Sequence, residues 1–183
     1  MKKSRNFLLV LIMLSGSFLY GQMSQSFPLM EVTRLNDEML HLPQDTKGKY
    51  TLIGLSYSKK SEDDLVTWFS PVYRTFIHKS EKPGLFSNDY DVHVYFIAMF
   101  TGVNKAAAGP VKKKMQKNSD PELEPHLLFY KGEIKSFKES LNLDRKDTPY
   151  FFVLDENGKI VYTTSGAYSR DKMDAVEGLL EDW

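Results

Sequence analysis

The chain has 183 residues, of which 42% are apolar and 26% charged, as in ordinary globular proteins. This excludes a disordered or collagen-like chain, and the formal net charge of zero lacks the basic excess of proteins that bind nucleic acid. The sequence contains no cysteine, so disulfide bonds and thiol chemistry are both excluded.

Residues 1–21 have the plan of a secretory signal peptide. The basic start MKKSRN leads into the apolar run FLLVLIMLSGSFLYG, which is shorter than the ~20 residues of a membrane-spanning helix. We expect cleavage after Gly21 and export to a periplasm. Leu19 departs from the small residue favoured three positions before such a cut, so membrane tethering by an uncleaved segment is the alternative.

The next elements predict a strand, a helix and a second strand. Residues 22–48 are interrupted by prolines and glycine, which predicts an N-terminal arm or short strands. Residues 49–58 have a continuous apolar centre, typical of a buried central strand. Apolar side chains then recur every three or four residues from 60 to about 78, which predicts a helix with a kink or new start at Pro71. Residues 91–100 are rich in valine and aromatics and predict the second strand.

The remainder continues this alternation. Residues 104–118 predict a helix interrupted at Gly109 and Pro110, and residues 126–143 predict a short strand and a short helix. In 148–166, two apolar runs flank Asn157 and Gly158, which supply the backbone angles of a hairpin turn. A last helix follows Ser169. The predicted fold class is α/β.

This order of elements resembles the thioredoxin superfamily over residues 49–183. The resemblance rests on SYSKKSED, where the family carries Cys-x-x-Cys, on Thr148 and Pro149, where it keeps a cis-proline, and on the ending FFVLDENGKIVYTTSG. It implies a three-layer α/β/α sandwich with a mixed central sheet. Pro71 lies ten residues after Ser61, whereas thioredoxin has its kinking proline five residues after the second cysteine.

A narrower resemblance is carried by LIGLSYSKKSEDDLVTWFSPVYRTF and SLNLDRKDTPYFFVLDENGKIVYTTSG. These segments are similar to the cysteine-free, thioredoxin-like assembly factors of the mitochondrial ATP synthase membrane sector. Those proteins share a helix with a tryptophan and an aromatic-x-Pro segment, followed by a terminal strand-Asp-x-x-Gly-strand-Gly element.

By this resemblance, a shallow groove would bind an extended polypeptide through main-chain pairing and apolar contact. Its expected lining is Tyr57, Ser58, Lys59, Lys60, Ser61, Thr148, Pro149 and Tyr150. Serine cannot form or exchange a disulfide, so the groove would bind without reacting. Five aromatic residues in predicted loops and ends also favour protein binding, namely Phe86, Tyr90, Tyr130, Tyr168 and Trp183.

The expected function is therefore a redox-inactive, exported, chaperone-like or assembly factor with a protein partner and no cofactor. One alternative is an envelope hydrolase or transferase that uses Ser58 or a histidine, which requires a base and a carboxylate in contact. The chain's histidines, His41, His78, His93 and His126, are too scattered to predict such a site or a metal site. Another alternative is a structural subunit that docks through residues 22–48.

Overall fold

The computed structural model describes residues 25–78 and 90–180. Seven strands form one sheet in the order β2-β1-β5-β4-β3-β6-β7. They are β1 (Met30–Arg34), β2 (Met39–Leu42), β3 (Tyr50–Ser56), β4 (Val92–Thr101), β5 (Leu127–Gly132), β6 (Tyr150–Leu154) and β7 (Ile160–Ser165). The predicted signal peptide and its cleavage site lie outside the described residues.

The sheet is mixed, because β3, β4 and β5 run parallel whereas the other neighbouring pairs are antiparallel. Five α-helices flank it: α1 (Lys59–Val66), α2 (Phe69–Val72), α3 (Ala108–Asn118), α4 (Lys135–Leu141) and α5 (Arg170–Leu180). Apolar side chains of α1, α2 and α5 pack in one core cluster, and those of α4 pack in another. The predicted three-layer α/β/α sandwich with a mixed sheet is confirmed.

Strand β3 is the central strand that its sequence predicts. It is hydrogen-bonded on one side to β4 and on the other to β6, and every residue from Thr51 to Ser56 is buried. A continuous apolar run suits this position because both faces of the strand meet helices. The chain therefore passes directly from the buried strand β3 into the turn that starts α1.

The helix predicted over residues 60–78 is divided into three pieces. Helix α1 ends at Val66, α2 follows after Thr67 and Trp68, and a π-helical turn covers Tyr73–Ile77. Pro71 is the third residue of α2, where the missing N–H is not needed by a first turn. The new segment expected at this proline is present, and it begins two residues earlier.

The helix predicted over residues 104–118 is also divided, although not at Gly109 and Pro110. A 3-10 helix covers Gly102–Ala107, and α3 then runs without a break through both residues. Pro110 lies in the first turn of α3, which tolerates proline for the same reason as in α2. The 3-10 segment therefore ends where the first turn of α3 begins.

Residues 25–48 contribute to both edges of the sheet. Strand β1 pairs antiparallel with β5, with Thr33 opposite Phe129. At the opposite edge, beside β7, the Phe27 N–H donates to the Gly158 carbonyl at 2.9 Å, and the Ile160 N–H donates to the Gln25 carbonyl at 2.8 Å. This segment is therefore built into the sheet.

In the part of the chain that the structure describes, no helix has the length and apolar character needed to cross a membrane.

Gly54 provides a test of the packing between β3, α1 and β6. A methyl group on Gly54 would lie 2.8 Å from Phe151 Cε1 and 2.9 Å from Leu65 Cδ1. We expect Gly54→Ala to lower the free energy of unfolding by about 1–3 kcal/mol, because these neighbours must shift. Chemical denaturation measures the change.

The matched control is Gly178→Ala in α5, where a methyl group would meet nothing within 4 Å. Because alanine favours helix over glycine, this variant should gain roughly 0.5–1 kcal/mol. Equal effects of the two substitutions would contradict the packing around Gly54.

Candidate functional site

The turn between β3 and α1 is closed by two serines that form a capping box. The Ser58 hydroxyl oxygen accepts from the Ser61 N–H at 3.1 Å, and the Ser61 hydroxyl oxygen accepts from the Ser58 N–H at 2.9 Å. The Tyr57 N–H also donates to the Ser61 hydroxyl oxygen, at 3.2 Å. These bonds satisfy backbone donors that a helix N-terminus otherwise leaves free.

A loop of residues 142–148 lies over this turn. The Ser58 hydroxyl donates to Asp147 Oδ1 at 2.9 Å. The Tyr57 hydroxyl donates to the Leu143 carbonyl at 3.0 Å. On the loop's other side, the Arg145 N–H donates to the Tyr150 hydroxyl at 2.7 Å. The chain's own loop therefore uses polar groups that a bound peptide would otherwise contact.

The structure brings the eight predicted groove residues to one end of the sheet, although it does not expose them all. Tyr57, Ser61, Pro149 and Tyr150 are buried, Ser58 and Thr148 are half-buried, and Lys59 and Lys60 are exposed. Lys59 forms an ion pair with Asp63 at 2.6 Å. The accessible rim thus consists of Lys59, Lys60 and the edges of Ser58 and Thr148.

Pro149 differs from the proline of the thioredoxin superfamily in its geometry. The Thr148–Pro149 bond is trans, and the cis bond among the described residues joins Leu42 and Pro43. For an X–Pro bond, trans is the more stable form by about 0.5–1 kcal/mol. The Pro149 carbonyl accepts from the Gly166 N–H at 2.9 Å, so this main-chain acceptor is already occupied.

Trp68 joins the helical side of the site to the hairpin side. Its ring is fully buried and stacks on Phe151 with centroids 4.0 Å apart. Its Nε1 donates to the Gly166 carbonyl at 3.0 Å. The sequence features that carried the narrower resemblance, the tryptophan and the final glycine, are therefore in direct contact.

The arrangement that would favour a hydrolase or transferase is missing from the described residues. Ser58 bonds to Ser61 and Asp147, and no serine hydroxyl bonds to a histidine ring within this part of the chain. The histidines have other neighbours: Asp45 for His41, Tyr73 for His78, Tyr95 for His93 and the Val94 carbonyl for His126. Across residues 25–78 and 90–180, no group of potential ligands could hold a metal ion.

Three of the five aromatic residues expected on loops lie against other rings. Tyr90 packs edge-on to Phe76, Tyr130 to Phe137 and Tyr168 to Trp68. Phe86 and Trp183 lie outside the described residues. Loop position thus gave a poor guide to which aromatic rings are available for a partner.

An apolar cleft beside the turn was not expected from the sequence. It has a volume of about 480 Å³ and lies between α1 and α3, above strands β4 and β5. Lys59 and Glu62 stand at its α1 side, and Lys114 stands at its α3 side. Periodicity identified both helices, but the gap between them depends on how each is placed on the sheet.

Comparison with solved structures shows a thioredoxin-like fold, and this chain carries serines at positions 58 and 61 and no cysteine. The pneumococcal exposed lipoprotein thioredoxin Etrx1 of Streptococcus pneumoniae matches with a TM-score of 0.54 and 16% identity, covering 85% of this chain and 100% of its own. Yeast Sco1 matches at 0.56 and 14%, covering 89% and 98%. BsSco, of the Sco family of cytochrome c oxidase assembly proteins, matches at 0.56 and 12%, covering 85% and 92%.

The chain belongs to the ATP10 protein family, whose model matches residues 14–179. This match extends over both segments that carried the narrower resemblance, which is thereby confirmed. No curated protein sequence matches the chain. The family assignment thus rests on the family model, and the fold on the solved structures.

Removal of the Ser61 hydroxyl tests the capping box. We expect Ser61→Ala to lower the free energy of unfolding by about 2 kcal/mol, because it leaves the half-buried Ser58 N–H and the buried Tyr57 N–H without this acceptor. Ser140 is the matched control, since its hydroxyl donates to the Ser136 carbonyl inside α4 and replaces no backbone bond. Ser140→Ala should change stability by less than about 0.5 kcal/mol, and a similar loss in both variants would contradict the proposed role of Ser61.

Tyr57 tests the contact between the turn and the overlying loop. Burial, followed by the charges of Tyr150, Asp144 and Asp147, raises the pKa of the Tyr57 phenol to about 12. Because the unfolded phenol ionises near 10, this contribution to stability is complete below pH 10 and is lost as the pH rises towards 12.

We expect Tyr57→Phe to lower the free energy of unfolding by about 1 kcal/mol at pH 7 through loss of the bond to Leu143. The variant should also lose less stability than the parent between pH 10 and 12. Denaturation at several pH values measures both effects. Burial also raises the pKa of Tyr130, but this contribution is common to both proteins and cancels when the variant's stability-versus-pH profile is subtracted from the parent's. Identical slopes of the two profiles between pH 10 and 12 would contradict the raised pKa of Tyr57.

Proposed function

We propose that this protein is an assembly factor that binds a polypeptide client without covalent chemistry. The observation that carries the proposal is the capping box of Ser58 and Ser61 in a chain without cysteine. Redox-active thioredoxin folds need a thiolate at this helix N-terminus, where the dipole lowers its pKa. Here the serine hydroxyls accept hydrogen bonds from backbone N–H groups at the start of α1, but neither serine provides the thiolate that would attack a disulfide.

Membership of the ATP10 family supports the assembly role. BsSco belongs to a family of cytochrome c oxidase assembly proteins, so the same fold serves assembly in another protein. We propose that the client is a subunit of a membrane-bound complex, in keeping with the resemblance to assembly factors of the ATP synthase membrane sector. We further propose that residues 1–21 direct the protein to a periplasm, where such a client would be met.

The proposed contact surface is the accessible rim of the predicted groove. Lys59 and Lys60 are exposed there, and the half-buried Thr148 follows Asp147, whose carboxylate accepts from the Ser58 hydroxyl. Because Tyr57 and Tyr150 are buried, they support this rim from below. A client would therefore meet polar edges and the first turn of α1, with Ser58 held in place by Asp147.

A second candidate is an interaction subunit that does not use the groove. It is favoured by the loop of residues 142–148, which already bonds to Tyr57 and Ser58. The sequence predicted that such a subunit would dock through residues 22–48. This segment is less suitable, because its strands β1 and β2 are paired within the sheet. An enzyme is the weakest candidate, since Ser58 lacks a histidine partner among the described residues.

Site-specific photocrosslinking in native envelopes tests the proposal. A crosslinker replaces Lys60 on the rim or, as a control, Asn157, which is exposed in the turn at the other end of β6. We expect one discrete protein to be captured through Lys60 and not through Asn157. Capture through neither position, or equally through both, would overturn the proposed rim.

A further inference from the structure

A short exposed segment of the loop over the turn at Ser58 is here called the strap. It consists of residues 144–147, which read DRKD, and all four are exposed. Leu143 before it is 1% exposed, and Pro149, one residue beyond Thr148, is buried. The strap thus lies in solvent between two residues that are held in the interior.

The two ends of the strap are fixed by contacts that do not involve the strap itself. The Leu143 N–H donates to the Lys138 carbonyl at 3.1 Å, and the Pro149 carbonyl accepts from the Gly166 N–H at 2.9 Å. Leu143 also packs in the core cluster that contains Tyr150. The strap can therefore leave the surface of the domain while both of its ends stay in place.

Three hydrogen bonds hold the strap against the groove. The Arg145 N–H donates to the Tyr150 hydroxyl at 2.7 Å, Arg145 Nη2 donates to Ser165 Oγ at 2.8 Å, and the Ser58 hydroxyl donates to Asp147 Oδ1 at 2.9 Å. None of the four charged side chains forms an ion pair with another described residue. Exposed segments with so few contacts open locally, without unfolding of the domain.

The same bonds show what the covered hydroxyls can bind. The Tyr150 hydroxyl accepts from a main-chain N–H, and the Ser58 hydroxyl donates to an oxygen. An extended polypeptide supplies an N–H and a carbonyl oxygen from nearly every residue, whatever its sequence. The strap is itself a stretch of main chain seated on these groups, so another stretch of main chain suits them.

We propose that the strap covers the client-binding surface in the free protein, and that the main chain of an extended client segment takes its place on the hydroxyls of Tyr150 and Ser58. This inference rests on the proposed assembly function and names the groups that the client binds. The exchange replaces hydrogen bonds of the strap with hydrogen bonds of the client. Because folded proteins have most of their main-chain groups already paired, the surface selects an unfolded segment or an open strand edge.

Native-state hydrogen exchange tests whether the strap opens by itself. We expect the protection factor of the Arg145 N–H to be at least about a hundredfold below that of the Ile53 N–H in the central strand. Low concentrations of denaturant should not change it, since opening of the strap exposes little surface. Tyr150→Phe should lower it further, because this variant removes the acceptor. Equal protection of Arg145 and Ile53 would overturn the inference.

A disulfide across the strap tests whether opening is needed for binding. Ser58→Cys with Asp147→Cys replaces the bonded hydroxyl and carboxylate, and the chain has no other cysteine to interfere. Mass spectrometry of a digest verifies the bond. The probe is an alkylated, permanently unfolded polypeptide, whose binding is measured by fluorescence anisotropy. We expect the reduced form to bind it at least about tenfold more tightly than the oxidised form.

Glu31→Cys with His41→Cys is the matched control for the disulfide. These two residues lie opposite each other in β1 and β2, at the sheet edge remote from β7. Oxidation of this variant should leave its affinity for the unfolded polypeptide unchanged.

A variant without a disulfide tests the strap in the opposite direction. Asp147→Ala removes the acceptor of the Ser58 hydroxyl, so the strap opens more readily and affinity for the unfolded polypeptide should rise about threefold or more. Glu139→Ala removes the same charge from an exposed position on α4 and should not change the affinity. Thermal melting verifies that both variants are folded.

The outcomes separate the strap from the proposed function. Equal binding by the oxidised and reduced forms, or weaker binding by Asp147→Ala, would overturn the strap, while client capture through Lys60 would leave the assembly function standing. If the parent, the reduced form and Asp147→Ala all fail to bind the polypeptide, and Lys60 captures no client, the proposed function is overturned and the role of the strap with it.

Discussion

The buried indole of Trp68 is the contact on which the rest of the site depends. It stacks on Phe151 in β6 and donates to the Gly166 carbonyl beyond β7. Gly166 in turn donates to Pro149, at the entrance to β6. One side chain thus positions α1 and α2 against the hairpin, and with them the turn at Ser58. Loss of this aromatic contact would separate the two halves of the site before any surface residue was altered.

The two serines at the start of α1 show how this helix N-terminus is capped in a chain without cysteine. The start of α1 leaves N–H groups that need acceptors, whatever residue stands there. Serine meets this need at both positions of the turn, and the loop carrying Asp147 adds a third contact. The requirement to cap the helix is therefore met at this turn by groups that have no thiol chemistry.

Local patterns predicted much of the fold but less of the site. Asn157 and Gly158 identified the hairpin, and the apolar run of β3 identified the central strand, because both signals depend on near neighbours. The burial of Tyr57 and Tyr150 was not predicted, since it depends on a loop that returns from residues 142–148. The cleft was missed for the same reason: it depends on the distance between α1 and α3, which no local spacing encodes.

The pairing of β1 with β5 has a consequence for synthesis. Thr33 lies opposite Phe129, so the first strand of the sheet has to wait for a partner made almost a hundred residues later. During translation, β1 and β2 can pair with one another, but the edge of β1 that faces β5 in the finished sheet stays unpaired until β5 leaves the ribosome. An unpaired strand edge is a template for aggregation. A protein proposed to bind a client during assembly thus passes through a stage in which one of its own strand edges is unpaired.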